Sequence, residues 1–210
     1  MTELKELRST HRSTGYAELQ KYNLDLTLSR GGKNGEGWDT DEAEIWKRVL
    51  SFRVARHIQP QRILETHPGK GVGTYVYKSA SPNADIYDNA DCGEVDLIDV
   101  DPFGWPWETL DSIQHLLLNN TVLFVTSGEI QAVSRNLTRA QFLKTVHYGK
   151  QSPIWVKKQY IPELENRTGL SCQFFFAFPT MVRVVLSRKE IPLDVFSGCP
   201  TWMSWFARYG

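Results

Sequence analysis

Asp101-Pro-Phe-Gly104 places a carboxylate, a rigid ring and an aromatic side chain in consecutive positions. At the end of a strand such a tetrapeptide is a receptor for a planar amine. The carboxylate and a nearby backbone carbonyl accept hydrogen bonds from an NH2 group, Pro102 stiffens the turn, and the Phe103 ring stacks on the base. The competing reading is an Asx-type cap with Phe103 in the core. A second candidate lies upstream, where Glu65-Thr-His-Pro-Gly-Lys-Gly-Val-Gly73 sets glycines at 69, 71 and 73. Glycines in a strand-to-helix turn let the backbone approach a ligand at the carboxyl edge of a sheet. Gly71 follows Lys70 where a P-loop needs Ser or Thr, and the spacing is not G-x-G-x-x-G, so neither nucleotide fingerprint applies.

A third candidate is a segregation of charge. Ser79 to Ser134 holds no Lys or Arg but carries Asp85, Asp88, Asp91, Glu94, Asp96, Asp99 and Asp101 among its acids. Ile130 to Pro162 is the reverse, with Arg135, Arg139, Lys144, Lys150, Lys157 and Lys158 and no acid. Phe142, Tyr148, Trp155 and Tyr160 are interleaved with these cations. Basic residues with aromatics among them suit a groove for phosphates and unstacked bases. A solvated helix and loop whose aromatics belong to the core is the equal alternative.

These residues need elements to position them. Residues 1–37 read as an N-terminal arm ending in a mobile Gly-rich loop, with four glycines between Ser29 and Gly37, and 38–210 as the main domain. Asp39 with Glu42 forms a capping box opening a helix to about Ile58. Arg62–Thr66 is a short strand, a brief helix runs to about Ala80, and Asp85–Asp88 and Val95–Val100 are further strands. The strand leading into Asp101 is expected two positions along the sheet from the Gly-rich turn. Pro106 opens a helix through Leu110, Ile113 and Leu117, Thr121–Thr126 is another buried strand, and a helix is expected around 132–145. Cys172–Phe178 and Met181–Leu186 form a closing hairpin. The fold class is therefore α/β, a mostly parallel sheet with an antiparallel edge.

Composition sets the limits. The chain has 210 residues, 24 basic against 24 acidic, so no global field draws it to nucleic acid or anionic lipid. Three cysteines without a CxxC pair argue against a disulfide scaffold or a zinc knuckle and fit a reducing, cytoplasmic setting. The polar start is no signal peptide, and no run of apolar residues is long enough to span a membrane. His115 and His147 have no ligand-spaced carboxylate or Cys, so no metal is expected. Ser127 is not in a G-x-S-x-G elbow, which excludes that class of hydrolase.

Ile63-Leu-Glu-Thr-His-Pro-Gly-Lys-Gly71 resembles motif I of class I S-adenosylmethionine-dependent methyltransferases. Leu97-Ile-Asp-Val-Asp-Pro-Phe-Gly-Trp-Pro106, with Leu123-Phe-Val-Thr-Ser127, is similar to the Asp-Pro-Phe-Gly segment of the tRNA guanine-N2 dimethyltransferases. The resemblance covers about Arg62 to Arg188. It implies a Rossmann-like methyltransferase sandwich, S-adenosylmethionine as cofactor, and transfer of a methyl group to an exocyclic amine of a nucleobase in RNA or DNA. On that reading Asp101, Pro102 and Phe103 hold the target base. Glu65, His67, Gly69 and Gly71 line the cofactor, with Asp88 on its ribose or Asp91 near its adenine. Only 36 residues separate Glu65 from Asp101, so one strand–helix unit of the family is expected to be missing. His67 and Pro68 stand where the family has small residues. A non-catalytic nucleic-acid-binding or scaffold protein on a degenerate methyltransferase fold is the alternative.

Overall fold

A computed structural model describes residues 17–22, 24, 42–69, 71–102, 104–128, 155–177 and 181–200. The Gly-rich loop at 29–37 and the helix expected around 132–145 lie outside them. The chain divides into two compact units. One is helical and draws on the residues before Arg62, on Pro68–Ala84 and on Leu193–Pro200. The other is built on the sheet and draws on Arg62–His67 and Asp85–Pro192.

In the helical unit, α1 (Glu42–Ile58) packs against α2 (Val72–Ala80). Ile45, Val49 and Phe52, spaced to fall on one face of α1, are all buried, as are Val76 and Tyr77 on α2. Gly71 caps α2 in the left-handed region (φ 79°), where an L side chain is strained. At the other end the Ser81 hydroxyl donates to the Ala55 carbonyl of α1 at 3.3 Å, tying the two helix ends together.

The second unit is a six-stranded sheet of β1 (Arg62–Glu65), β2 (Asp85–Tyr87), β3 (Leu97–Val100), β4 (Val122–Ser127), β5 (Ser171–Ala177) and β6 (Val182–Ser187). Its order is β2-β1-β3-β4-β6-β5. The first four are parallel, and β6 runs antiparallel to both β4 and β5. This is the Rossmann-like, mostly parallel sheet with a C-terminal antiparallel hairpin. β3, β4 and β6 are buried along their whole length, which explains their near-continuous apolar runs. Strand ends sit one or two residues from the expected positions.

The expected shortening falls between β2 and β3. Residues 88–96 return the chain across β1 with only a single 3-10 turn, Ala90–Cys92, in place of a helix. Arg62 braces this crossover. Its guanidinium donates to the Cys92 carbonyl and lies 5.2 Å from the Tyr87 ring, and its backbone N–H donates to the Asp96 carboxylate at 3.0 Å. One correction follows. β3 is hydrogen-bonded directly to β1, not two positions away, because no strand is inserted between them.

One face of the sheet is covered within the same unit by α3 (Trp107–Ile113) and α4 (Ile161–Thr168). Leu64, Ile98, Val100, Leu123, Val125, Val184 and Leu186 form the floor of this core, and each fully buried aliphatic side chain contributes about 1.5–3 kcal/mol. A π-helical turn, Val156–Tyr160, runs into α4. Trp155 and Tyr160 stack at 5.0 Å, and Tyr160 meets Trp107 edge-on at 5.5 Å. Arg167 lies over Trp107 and pairs with Asp111 at 3.0 Å, joining α4 to α3. The three cysteines are thiols.

On β5, burial first and the neighbouring Glu165 carboxylate second push the Cys172 thiol up to about 12. A thiol held protonated at neutral pH is a poor nucleophile. Disulfide-exchange labelling at pH 8 is therefore expected to spare Cys172 in the folded protein and to modify it in urea. Prompt native-state labelling of Cys172 would contradict this. The folded pKa lies above the unfolded one, so the unfolded chain loses the proton first. The stability associated with this thiol is intact below about pH 9 and declines towards about pH 12.

Candidate functional site

In an open parallel sheet, ligands sit outside the carboxyl ends of the strands where the strand order reverses. Here β2 lies on one side of β1 and β3 on the other, so the reversal falls at the carboxyl ends of β1 and β3. Glu65 and Asp99 are register partners there, and the Thr66 N–H extends the ladder to the Asp99 carbonyl at 3.0 Å. Glu65 is buried and Asp101, just past the end of β3, is half-buried. Three acidic residues thus fall at the carboxyl ends of β1 and β3.

Asp99 is neutralised. The Arg183 guanidinium, fully buried on β6, donates one N–H to each Asp99 oxygen at 3.0 Å. It also donates to Thr126 Oγ1 at 2.5 Å and spans the Phe124 ring at 4.4 Å. This bidentate clamp crosses β3, β4 and β6 just below Asp101. Sequence reading missed it, although the signal was present: Asp99 and Arg183 are lone charges inside apolar strands, and a buried charge needs a partner.

The segment after Asp101 is also pinned. The Gly104 carbonyl accepts from the Gly128 N–H at 3.0 Å and from the Ser127 hydroxyl at 3.3 Å, and the Gly104 N–H donates to the Pro102 carbonyl at 2.9 Å. Gly104 adopts φ 130°, which a residue with a Cβ would resist. The turn carrying Asp101 and Pro102 is therefore anchored to the end of β4. Phe103 lies outside the described residues.

His67 is exposed, and its Nδ1 is 2.7 Å from Thr66 Oγ1. Thr66 Oγ1 is also 3.2 Å from the Asp99 carbonyl, and His67 is thus a hydrogen-bonded turn residue. Gly69 and Gly71 have positive φ, 54° and 79°, and a Cβ on either would meet nothing within 4 Å. The backbone here leaves room for a ligand to approach closely.

Asp88 is exposed beyond β2, with Asn89 Nδ2 3.4 Å from its Oδ1, and Asp91 is exposed on the 3-10 turn. Lys157 and Lys158 are exposed on the π-helical turn. Arg135, Arg139, Lys144 and Lys150, with Phe142 and Tyr148, lie outside the described residues. Trp155 and Tyr160, read equally as base-stacking or core residues, are 2% and 0% exposed and belong to the core. Trp107 is buried as well, and Trp105 packs against the same cluster. Both therefore anchor α3. Among the described residues no group of three or more His, Cys, Asp or Glu is placed to hold a metal ion, and no helix is long and apolar enough to cross a membrane.

No protein-family model and no curated protein matches the chain. Among solved structures, it is similar to Trm1 from Pyrococcus horikoshii in complex with S-adenosyl-L-methionine, with a TM-score of 0.51 and 14% identity over 69% of this chain. The chain spans 54% of the length of that protein. An O-methyltransferase family protein from Burkholderia thailandensis aligns with a TM-score of 0.46 at 7% identity, covering 88% of this chain and 71% of that one. The S-adenosylhomocysteine-bound methyltransferase PaMTH1 of Podospora anserina aligns with a TM-score of 0.43 at 14% identity, covering 80% and 86%. At 14% identity the likeness to Trm1 is one of fold alone, a Rossmann-like, mostly parallel sheet with an antiparallel C-terminal hairpin.

Proposed function

We propose that the chain is an S-adenosylmethionine-dependent methyltransferase acting on an exocyclic amine of a nucleobase in RNA or DNA. The observation that carries this reading is the position of Asp101. It lies one residue past the end of β3, the strand beside β1, at the reversal of strand order, in a fold shared with Trm1. Each unit by itself has features that suit the cofactor: in the sheet unit, buried Glu65 and exposed Asp88 or Asp91 supply acceptors for hydroxyl or amino groups, and in the helical unit Gly69 and Gly71 have a backbone and open space that admit close approach of a ligand. Bound S-adenosylmethionine supplies an electrophilic methyl group on a sulfonium.

The protein's task is then positioning: hydrogen bonds accepted by Asp101 draw the ring-delocalised lone pair of the amine onto nitrogen, and the proton that nitrogen sheds on methylation passes to that carboxylate or to solvent. Asp101 accepts hydrogen bonds from the target NH2 and keeps its lone pair directed at the methyl group. Pro102 and the Gly104 anchor hold that carboxylate still, and Phe103 stacks the base, which must leave any duplex to reach it. Lys157 and Lys158, with the cations at 135–150, contact the polymer backbone.

Titration calorimetry with S-adenosylmethionine and S-adenosylhomocysteine, followed by transfer of labelled methyl to tRNA and to single-stranded DNA, tests the proposal. Heat with both ligands and label in a polymer are expected. No heat with either would leave the degenerate scaffold as the correct reading. Cofactor binding without polymer labelling would move the substrate to a small molecule or a protein side chain.

A further inference from the structure

The helical unit carries a cleft that the methyl-transfer reading does not use. Residues 17–22, the second half of α1 and the turn Leu193–Gly198 enclose an open space of about 520 Å³. Arg53 frames it, bonded to the Glu18 carboxylate, the Ser197 carbonyl and Tyr22 Oη, the last at 3.1 Å. Its charge is spent on Glu18. Lys21, Arg56 and His57 are exposed on the walls and have no carboxylate within ion-pair distance among the described residues.

Two of these cations are held in place. Tyr22 and Phe52 stack at 4.6 Å, with Lys21 Nζ 5.7 Å from the Tyr22 ring and the Arg56 guanidinium 5.9 Å from Phe52. Those ring contacts leave the aromatic pair engaged with each other and with cations, so the cleft is suited to an anion and not to a stacked base. The carbonyl end of α1 would repel an anion. It is blunted by Arg56 and His57 in the last turn, and the Gln59 N–H and side-chain amide donate to the Ala55 and Arg56 carbonyls. With His57 neutral, the lining still has one more cation than it has carboxylates, Asp194 being the exposed one.

We propose that this cleft binds a backbone phosphate of the polynucleotide substrate through Lys21, Arg56 and His57. The inference rests on the nucleic-acid reading above. It assigns the strand a contact made through its backbone and independent of base identity.

The test is fluorescence anisotropy of a labelled single-stranded RNA at several salt concentrations, with wild type, a Lys21→Ala/Arg56→Ala variant and Arg56→Lys. One or two phosphate contacts are worth about 0.7 to 1.4 in the slope of log affinity against log salt. The double variant is expected to lose that much, and Arg56→Lys to retain the slope. Calorimetric heat with S-adenosylmethionine should persist in the double variant, showing that it is folded. An unchanged slope in a double variant that still binds the cofactor overturns the cleft alone. Failure of wild type to bind RNA at low salt overturns the nucleic-acid reading, and the cleft proposal with it. Thermal stabilisation of wild type by inorganic phosphate, with an unchanged RNA slope in the variant, makes this a free-phosphate site and overturns the proposal.

Discussion

Asp101→Ala is expected to lower methyl transfer by about 10²–10³-fold, the range for removing one preorganised group that meets the reacting centre. Heat with S-adenosylmethionine should change by less than about twofold, because the carboxylate addresses the amine and not the cofactor. The reasoning is geometric. Asp101 lies one residue beyond β3, on a turn whose Gly104 carbonyl is fixed by Gly128 N–H and Ser127 Oγ at the end of β4. The turn's hydrogen bonds to β4 run through the Gly104 backbone and survive the truncation. Asp101→Asn keeps one acceptor oxygen but presents an NH2 to the substrate's NH2, and should recover only part of the activity. Label incorporation in Asp101→Ala within twofold of wild type would remove this residue from the reaction.

The parts of the fold legible in the sequence share one physical cause. Leu97–Val100, Val122–Ser127 and Val182–Ser187 are short, predominantly apolar runs, and each is a strand buried along its whole length. The short Glu65–Asp101 spacing correctly implied a missing strand–helix unit, since the 88–96 segment has no room for a helix. The stretch around Trp155 was opaque for an equally physical reason. A π-helical turn spaces its buried residues five apart, and the Ile161 N–H reaches back to the Val156 carbonyl. Trp155 and Tyr160 therefore fall out of the 3.6-residue period and read as aromatics scattered among lysines. Pro162 sits in the first turn of α4, where a missing N–H costs nothing. The candidate site shows the same division. Its chain-local parts, Glu65 with the glycines and Asp101 with Gly104, were readable, whereas the Arg183 clamp joins residues 84 positions apart.

That clamp yields the largest expected effect on stability. Removing one partner of a buried, hydrogen-bonded pair leaves the other charge without compensation and costs about 3–5 kcal/mol. Arg183 is 0% exposed and Asp99 6%, so both Arg183→Met and Asp99→Leu should fall in that range, a large share of the roughly 5–15 kcal/mol that holds a domain folded. The double variant, with both charges replaced by apolar side chains, should regain most of the loss, because the desolvation of two ions disappears with their attraction. Urea unfolding of the wild type, two singles and the double closes the cycle. Additive losses would show that the pair is not energetically coupled, contrary to its bidentate geometry. The double variant also separates stability from positioning. If it is well folded and binds S-adenosylmethionine with normal heat but transfers methyl groups more slowly at saturating substrate, the clamp below Asp101 sets the angle of the β3 end. If its kcat is that of wild type, Arg183 and Asp99 serve the sheet alone.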